Sequence, residues 1–222
     1  MINPLLRFLP DITGKLIAGI LEFSDLICQP KNEELWREMG ILQQKYIRQF
    51  AHPSEGLLFL RPARDLYRAV GIEPTRIRPS SEALFRRVIK GKALYQINSI
   101  VDACNYASLS FFLPIGLYDL LKISGDIKFR LGLENEEYEG IGKESVHVTN
   151  RLCLADEIGA FGNPSSDSLR TAIDLQSREV LMVIFAPFKY SVPPLQEHMK
   201  LAEEIMLKFH PASKSRRSRI LK

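Results

Sequence analysis

An α+β fold, with helices packed on mixed or antiparallel sheets, follows from three features of the 222-residue sequence. Apolar residues repeat at helical spacing toward both ends, alternate at strand spacing through the middle, and form two continuous runs that suit strands within a core. Strands and helices do not alternate regularly, so a doubly wound parallel sheet is disfavoured.

The first apolar run, residues 16–28 (LIAGILEFSDLIC), is β-permissive and stops before Pro30. Asn32 then offers an N-cap and Glu33 and Glu34 suit the first turn of a helix, where acidic groups meet the unpaired amides. Leu35, Met39, Leu42, Tyr46 and Phe50 form its apolar stripe. His52, Pro53 and Gly56 interrupt the pattern, and a short helix over Ala63–Val70 ends at Gly71. Ser80 or Ser81 can cap a third helix that carries Leu84, Phe85, Val88 and Ile89 and closes at Gly91. Ser99 and Asp102, three apart like a capping box, open a fourth that runs to Phe112 before Pro114.

Beyond Gly116 the period changes to two. Ile127, Phe129, Leu131 and Leu133 alternate with polar or small residues, as do Val146 with Val148 and Leu152 with Leu154 across a turn at Asn150. Residues 156–164 are turn-rich, and VLMVIFAPF (180–188) is apolar enough for a central strand. Pro193 and Pro194 introduce a last helix with Leu195, Met199, Ala202, Met206 and Phe209 on one stripe. One domain over residues 1–210 is expected, followed by a basic, flexible tail at 211–222.

Hydrophobic residues are 45% and charged residues 25% of the chain, the composition of a globular protein. The formal charge is +4, but Lys214, Arg216, Arg217, Arg219 and Lys222 lie in the last twelve positions; without them 25 basic residues face 26 acidic ones. A body near −1 argues against a broad phosphate-neutralising surface, although the tail can steer an anion. No apolar run reaches the length of a membrane helix, so no membrane partner is expected. Met1–Ile20 has no convincing cleavage site and reads as part of the mature fold. Cys28, Cys104 and Cys153 are scattered and odd in number, which fits a reducing, cytoplasmic setting and gives no paired metal spacing. No cofactor or metal is expected: Walker, dinucleotide, HExxH and GxSxG patterns are absent, and the four histidines are scattered.

Chemistry therefore concentrates in two polar clusters. Arg78, Ser80, Asn98, Asp102, Asn105 and Asp119 form the first; such groups, when buried, either knit a core or line a pocket. The second is GAFGNPSSDSLRT (159–171), in which Asn163 and Pro164 set a turn and Asp167, Ser168, Arg170 and Thr171 offer acceptors, hydroxyls and a cation. It reads equally as a small-ligand loop and as a turn that ends a strand. Ser168 and Thr171 have no nearby histidine or lysine to activate them, so water attacking a bound ester is more economical than a covalent route.

The stretch INSIVDACNYASLSFFLPIGLYD (97–119) resembles the B3/4 domain of the phenylalanyl-tRNA synthetase β subunit. Asn98, Val101, Asp102, Asn105 and Tyr106 match the family's N-x-x-V-D-x-x-N-Y segment; Pro114, Tyr118 and Asp119 match the proline, aromatic and aspartate of its next segment. The likeness continues through Ile123, Gly125, Ile127, Arg130 and LADEIGAFGN, and implies a B3/4-like layered sandwich in a stand-alone protein. It also implies an editing-type site that hydrolyses the ester of a mischarged tRNA, with Asn105 at the place of the editing asparagine. The family's histidine falls at Gly116 and its glutamate at Val183, which implies a roomier, more apolar pocket and an altered substrate.

The resulting expectation is a tRNA or aminoacyl-tRNA binding protein with deacylase activity, in which Asn105 and Asp167 act in catalysis. Arg78, Ser80, Asn98, Asp102, Gly116, Asp119, Asn163, Ser168, Arg170, Thr171 and Val183 are then the substrate contacts. The alternative is a non-catalytic protein that binds a small amino-acid-like ligand or a protein partner.

Overall fold

The computed structural model describes residues 4–52 and 54–222; the start of the chain at 1–3 and the helix breaker Pro53 lie outside the described residues. In chain order the elements are β1 (Leu6–Phe8), β2 (Leu16–Ser24), α1 (Glu33–Gln49), α2 (Leu57–Ala69), α3 (Ser80–Ile89) and α4 (Ser99–Phe111). They are followed by β3 (Ile115–Asp119), β4 (Ile127–Leu131), β5 (Glu137–Gly140), β6 (Lys143–His147), β7 (Leu152–Ala155), β8 (Ala160–Asn163) and β9 (Ser166–Asp167). The chain closes with β10 (Val180–Pro187), α5 (Val192–Phe209) and β11 (Lys214–Leu221).

The two apolar runs pair as antiparallel neighbours β2 and β10 at the centre of a four-stranded sheet, order β11-β2-β10-β3. Both faces of this sheet are buried, which is why the runs show no polar alternation. Val180, Met182 and Ile184 pack with α4 and α5, while Leu181, Val183 and Phe185 face Phe129, Leu154 and Phe161 of a second sheet. That sheet has the order β1-β4-β7-β8-β9; β1 runs parallel to β4 and the remaining pairs are antiparallel. The architecture is thus α+β: helices, a sheet buried on both faces, and a mixed sheet. Gly19 brings α5 close to β2, since a Cβ there would lie 2.8 Å from Met199 Cγ.

Helices α1, α2 and α3 build a separate aromatic core with the end of α4. Tyr46, Phe50, Phe85 and Phe112 meet there, with the Phe50 and Phe85 rings edge to face at 5.3 Å. Asn32 caps α1 by accepting from the Leu35 amide at 3.0 Å. Helix α4 is capped by Asn98 rather than Ser99: Asn98 Oδ1 accepts from the Val101 amide at 3.0 Å, and Ser99 is the first helical residue.

A sheet buried on both faces must also close its edges, because unpaired amides there lie beside a core. At one edge, β3 donates from Leu117 N to Asp167 Oδ2 (3.3 Å) and from Asp119 N to the Thr171 carbonyl (2.9 Å), so residues 167–171 seal it. The opposite edge corrects the expectation of a flexible tail. Residues 214–221 form β11, antiparallel to β2 from Lys214↔Ser24 to Leu221↔Ala18, with a register shift around Arg216. Its cations meet acids of the body: Lys214 with Asp25 (3.2 Å), Arg216 with Glu179 (2.9 Å) and Arg217 with the buried Glu22 (3.1 Å). Ile220 packs on the helix-side core and Leu221 on the inter-sheet core. The run of like charges reads as solvated only until the acids that face it are known.

Deleting residues 214–222 is expected to lower the unfolding free energy by at least ~3 kcal/mol, because it uncovers β2 and leaves Glu22 buried without its partner. Urea denaturation checks this; an unchanged midpoint would mean that β11 contributes nothing to the fold.

Candidate functional site

Asp167 stands at the centre of the sealed edge. Its Oδ2 accepts from the Leu117 amide, while its Oδ1 is buried and has no well-formed hydrogen bond among the described residues. Around it lie a thiol and three phenols: Cys104 from α4, Tyr67 from α2, Tyr118 from β3 and Tyr138 from β5. Burial raises the pKa of each, and the Asp167 charge raises it further. Burial also pushes the Asp167 carboxyl up to about 7, against the opposing pull of the Tyr118 hydroxyl and the Leu117 amide. The Tyr118 hydroxyl is itself buried and makes no well-formed hydrogen bond. A carboxyl that changes charge near neutral pH, beside a neutral donor, can exchange a proton with whatever engages it.

Glycines shape this centre. Tyr118 lies back over its own strand, so a Cβ at Gly116 would sit 2.2 Å from the Tyr118 hydroxyl oxygen and one at Gly162 2.3 Å from it. The expected extra room at Gly116 is therefore absent: the phenol fills it. Val183, paired with Gly116 in register across β10 and β3, is fully buried in the inter-sheet core.

The remaining expected residues divide by how the fold uses them. Asp102 accepts from Trp36 Nε1 (2.7 Å) and from the Ile97 amide (3.0 Å), which docks α1 on α4. Asp119 accepts from the Leu121 amide (3.0 Å) and the Ser177 hydroxyl (2.7 Å). Asn163 accepts from the Ser165 and Ser166 amides and donates to the Tyr138 hydroxyl at 2.8 Å. Ser168 Oγ accepts from the Arg170 amide at 3.0 Å. Arg170, expected to meet a ligand carboxylate or phosphate, instead forks onto Asp156 at 2.8 and 2.9 Å. Burial works against ionisation of Asp156, but the hydrogen bonds and charge of Arg170 together with the Ser124 and Ile158 amides outweigh it and hold the carboxyl below its ordinary range. With Asn98 as a helix cap, these side chains serve the fold.

A second group keeps unspent polar atoms. Ser80 Oγ and Thr171 Oγ1 are buried without hydrogen-bond partners among the described residues, and the Ser80 amide donates to the Pro164 carbonyl at 3.3 Å. Arg78 is exposed. Asn105 is half-buried on α4, directly after the Cys104 that senses Asp167, and no hydrogen bond joins it to residues 159–171 among the described residues. The two clusters thus meet through backbone hydrogen bonds, the Ser80 amide on the Pro164 carbonyl and the Asp119 amide on the Thr171 carbonyl. Tyr67 and Tyr138 were not among the expected site residues, because nothing in their sequence spacing links them to position 167.

The B3/4 domain profile matches residues 62–210, two thirds of the chain. The chain belongs to the B3/4 domain family. Among curated proteins, the phenylalanine–tRNA ligase β subunit of Bartonella quintana (strain Toulouse) is 30% identical over 91 residues, covering 40% of this chain and 11% of that protein. The corresponding subunit of Neisseria meningitidis serogroup B (strain ATCC BAA-335 / MC58) is 28% identical over 91 residues, covering 40% and 12%. This B3/4 domain chain therefore spans about a tenth of the curated relatives' length. Among solved structures, an N-terminal fragment of the phenylalanyl-tRNA synthetase β subunit from Pyrococcus horikoshii aligns with a TM-score of 0.46 at 13% identity, covering 99% of this chain and 51% of that one. No helix among the described residues is long and apolar enough to cross a membrane.

Asp167 supplies a test through pH. Its folded pKa of about 7 lies above its ordinary 3.8, so its contribution to stability is complete below about 4, declines as pH rises, and is fully lost above about 7. The loss is on the order of 4 kcal/mol. Asp167→Asn is expected to flatten the fall in unfolding free energy between pH 4 and 7 relative to the unsubstituted chain. Equal slopes from urea titrations of the two would show that the carboxyl is not held neutral.

Proposed function

We propose that this B3/4 domain binds tRNA or aminoacyl-tRNA, and that its finer activity is hydrolysis of the ester of a mischarged tRNA. Family membership, with phenylalanine–tRNA ligase β subunits as curated relatives, carries the reading. In this reading the half-satisfied polar centre at Asp167 is where the ester is met.

Several features support attack by water over a protein nucleophile. Cys28, Cys104 and Cys153 are free but buried, and burial raises each thiol above its ordinary value, which suppresses the thiolate. Ser168 Oγ is engaged by the Arg170 amide, and His198 and His210 are occupied by Tyr190 and by Ser99 with Met206. In this reading Asn105 donates to the ester carbonyl and Asp167, titrating near 7, accepts a proton as the water attacks and returns it to the ribose oxygen as the acyl–oxygen bond breaks, releasing the amino acid and the free tRNA end.

A second reading has one observation in its favour. Lys214, Arg216 and Arg217 of β11 are matched with acids, so that strand contributes little net positive charge to an RNA backbone. A small amino-acid-like ligand needs no such surface.

Hydrolysis of a panel of aminoacyl-tRNAs, with tRNA binding measured in parallel at two salt concentrations, tests the proposal. Turnover of at least one member is expected, reduced roughly a hundredfold by Asn105→Ala. Binding without turnover removes the hydrolytic step. Absence of both, with calorimetric binding of a free amino acid, moves the assignment to the second reading.

A further inference from the structure

A cleft whose inner end is built from the start of the second polar cluster runs between the α2–α3 connection and the turn joining β6 to β7. Its inner part, about 270 Å³, lies over Tyr67, Asn163, Ser165 and Ser166; its outer part, about 620 Å³, opens beside Arg76, Asn150 and Arg151. Ile72, Ile77 and Arg151 line both parts, so the two are continuous.

The walls differ in chemistry along the cleft. At the mouth, Arg76 is exposed and forms no ion pair among the described residues, and Arg151 is anchored by one guanidinium nitrogen on the His147 carbonyl at 3.1 Å. The acid of this region, Glu73, turns back on its own turn, where Oε1 accepts from the Thr75 amide (3.2 Å) and hydroxyl (2.9 Å). Two guanidinium groups and the Glu73 carboxylate, which the Thr75 hydrogen bonds hold below its ordinary range and so keep ionised, therefore share the mouth and leave it a net positive charge. Ile72 and Ile77 supply apolar sides, and the inner end is polar, with the Tyr67 hydroxyl on Ser165 Oγ.

We propose that this cleft binds a 5′-phosphorylated nucleoside, free or as the terminal unit of an RNA. Arg76 and Arg151 take the phosphate, a geometry in which guanidinium forks are strong. The two isoleucines flank the flat base, and Ser165 and Ser166 at the inner end meet its hydrogen-bonding edge. Such a ligand combines a dianion, an apolar plate and hydrogen-bonding edges in the order in which the cleft presents their complements. The site is independent of ester hydrolysis at Asp167.

Isothermal titration with adenosine 5′-monophosphate, adenosine and inorganic phosphate tests the assignment. Adenosine 5′-monophosphate is expected to bind at least tenfold more tightly than either fragment, and the Arg76→Ala/Arg151→Ala double variant to lose at least tenfold in affinity. These exposed substitutions should leave the urea midpoint unchanged. Ile77→Trp, which fills the cleft without changing charge, should also weaken binding. No binding at millimolar nucleotide, or equal affinity in the double variant, overturns the proposal whether or not tRNA binds. Competition between the nucleotide and tRNA identifies an RNA terminus as the occupant; nucleotide binding without competition, or without any tRNA affinity, identifies the free nucleotide.

Discussion

The closure of a sheet that is buried on both faces governs the rest of this molecule. Strands β2 and β10 lie between a helical layer and a second sheet, so the amides at either end of their sheet border apolar surroundings. At one edge β11 completes the pairing, and its guanidinium and ammonium groups find acids on neighbouring elements. At the other edge the solution is unusual: a carboxylate and a carbonyl from residues 167–171 accept the β3 amides. The candidate site is a product of this second solution, because closing the edge with Asp167 draws an ionisable group out of water.

Burial then sets the chemistry. Neutral phenols and a neutral thiol surround Asp167, none of which compensates a negative charge as a guanidinium would, and the carboxyl titrates near neutrality. Asp156 shows the opposite outcome in the same sheet. It is also buried, yet the bidentate Arg170 pair keeps it ionised and spends the cation that the sequence offers to a ligand. Two aspartates eleven residues apart thus differ in protonation because one has a cation beside it and the other does not.

The departures from the sequence-based expectations share a physical origin. The amphipathic helices were legible because a period of 3.6 is local, and Asn32 at the head of α1 follows from residues within one turn. The short strands β1, β8 and β9 were missed, since two to four residues carry too little pattern. Gly116 reads as open space in the sequence because a missing side chain says nothing about which neighbour fills the gap; in the structure it is Tyr118, two residues along the same strand. Lys214–Leu221 was taken as solvated because Glu22, Asp25 and Glu179 lie far away in sequence.

The sequence by itself determined the α+β class, the principal helices, the two central strands and the B3/4 resemblance, all of which rest on periodicity or on motifs within a few tens of residues. Tertiary structure alone decided which polar residues hold the fold and which remain unspent. It joined Tyr67, Cys104, Tyr118 and Tyr138 to Asp167, paired Arg170 with Asp156, and brought Arg76 and Arg151 into the lining of one cleft. The reason is that burial and charge pairing are properties of neighbours in space, and at these positions the neighbours come from segments that the chain order keeps apart.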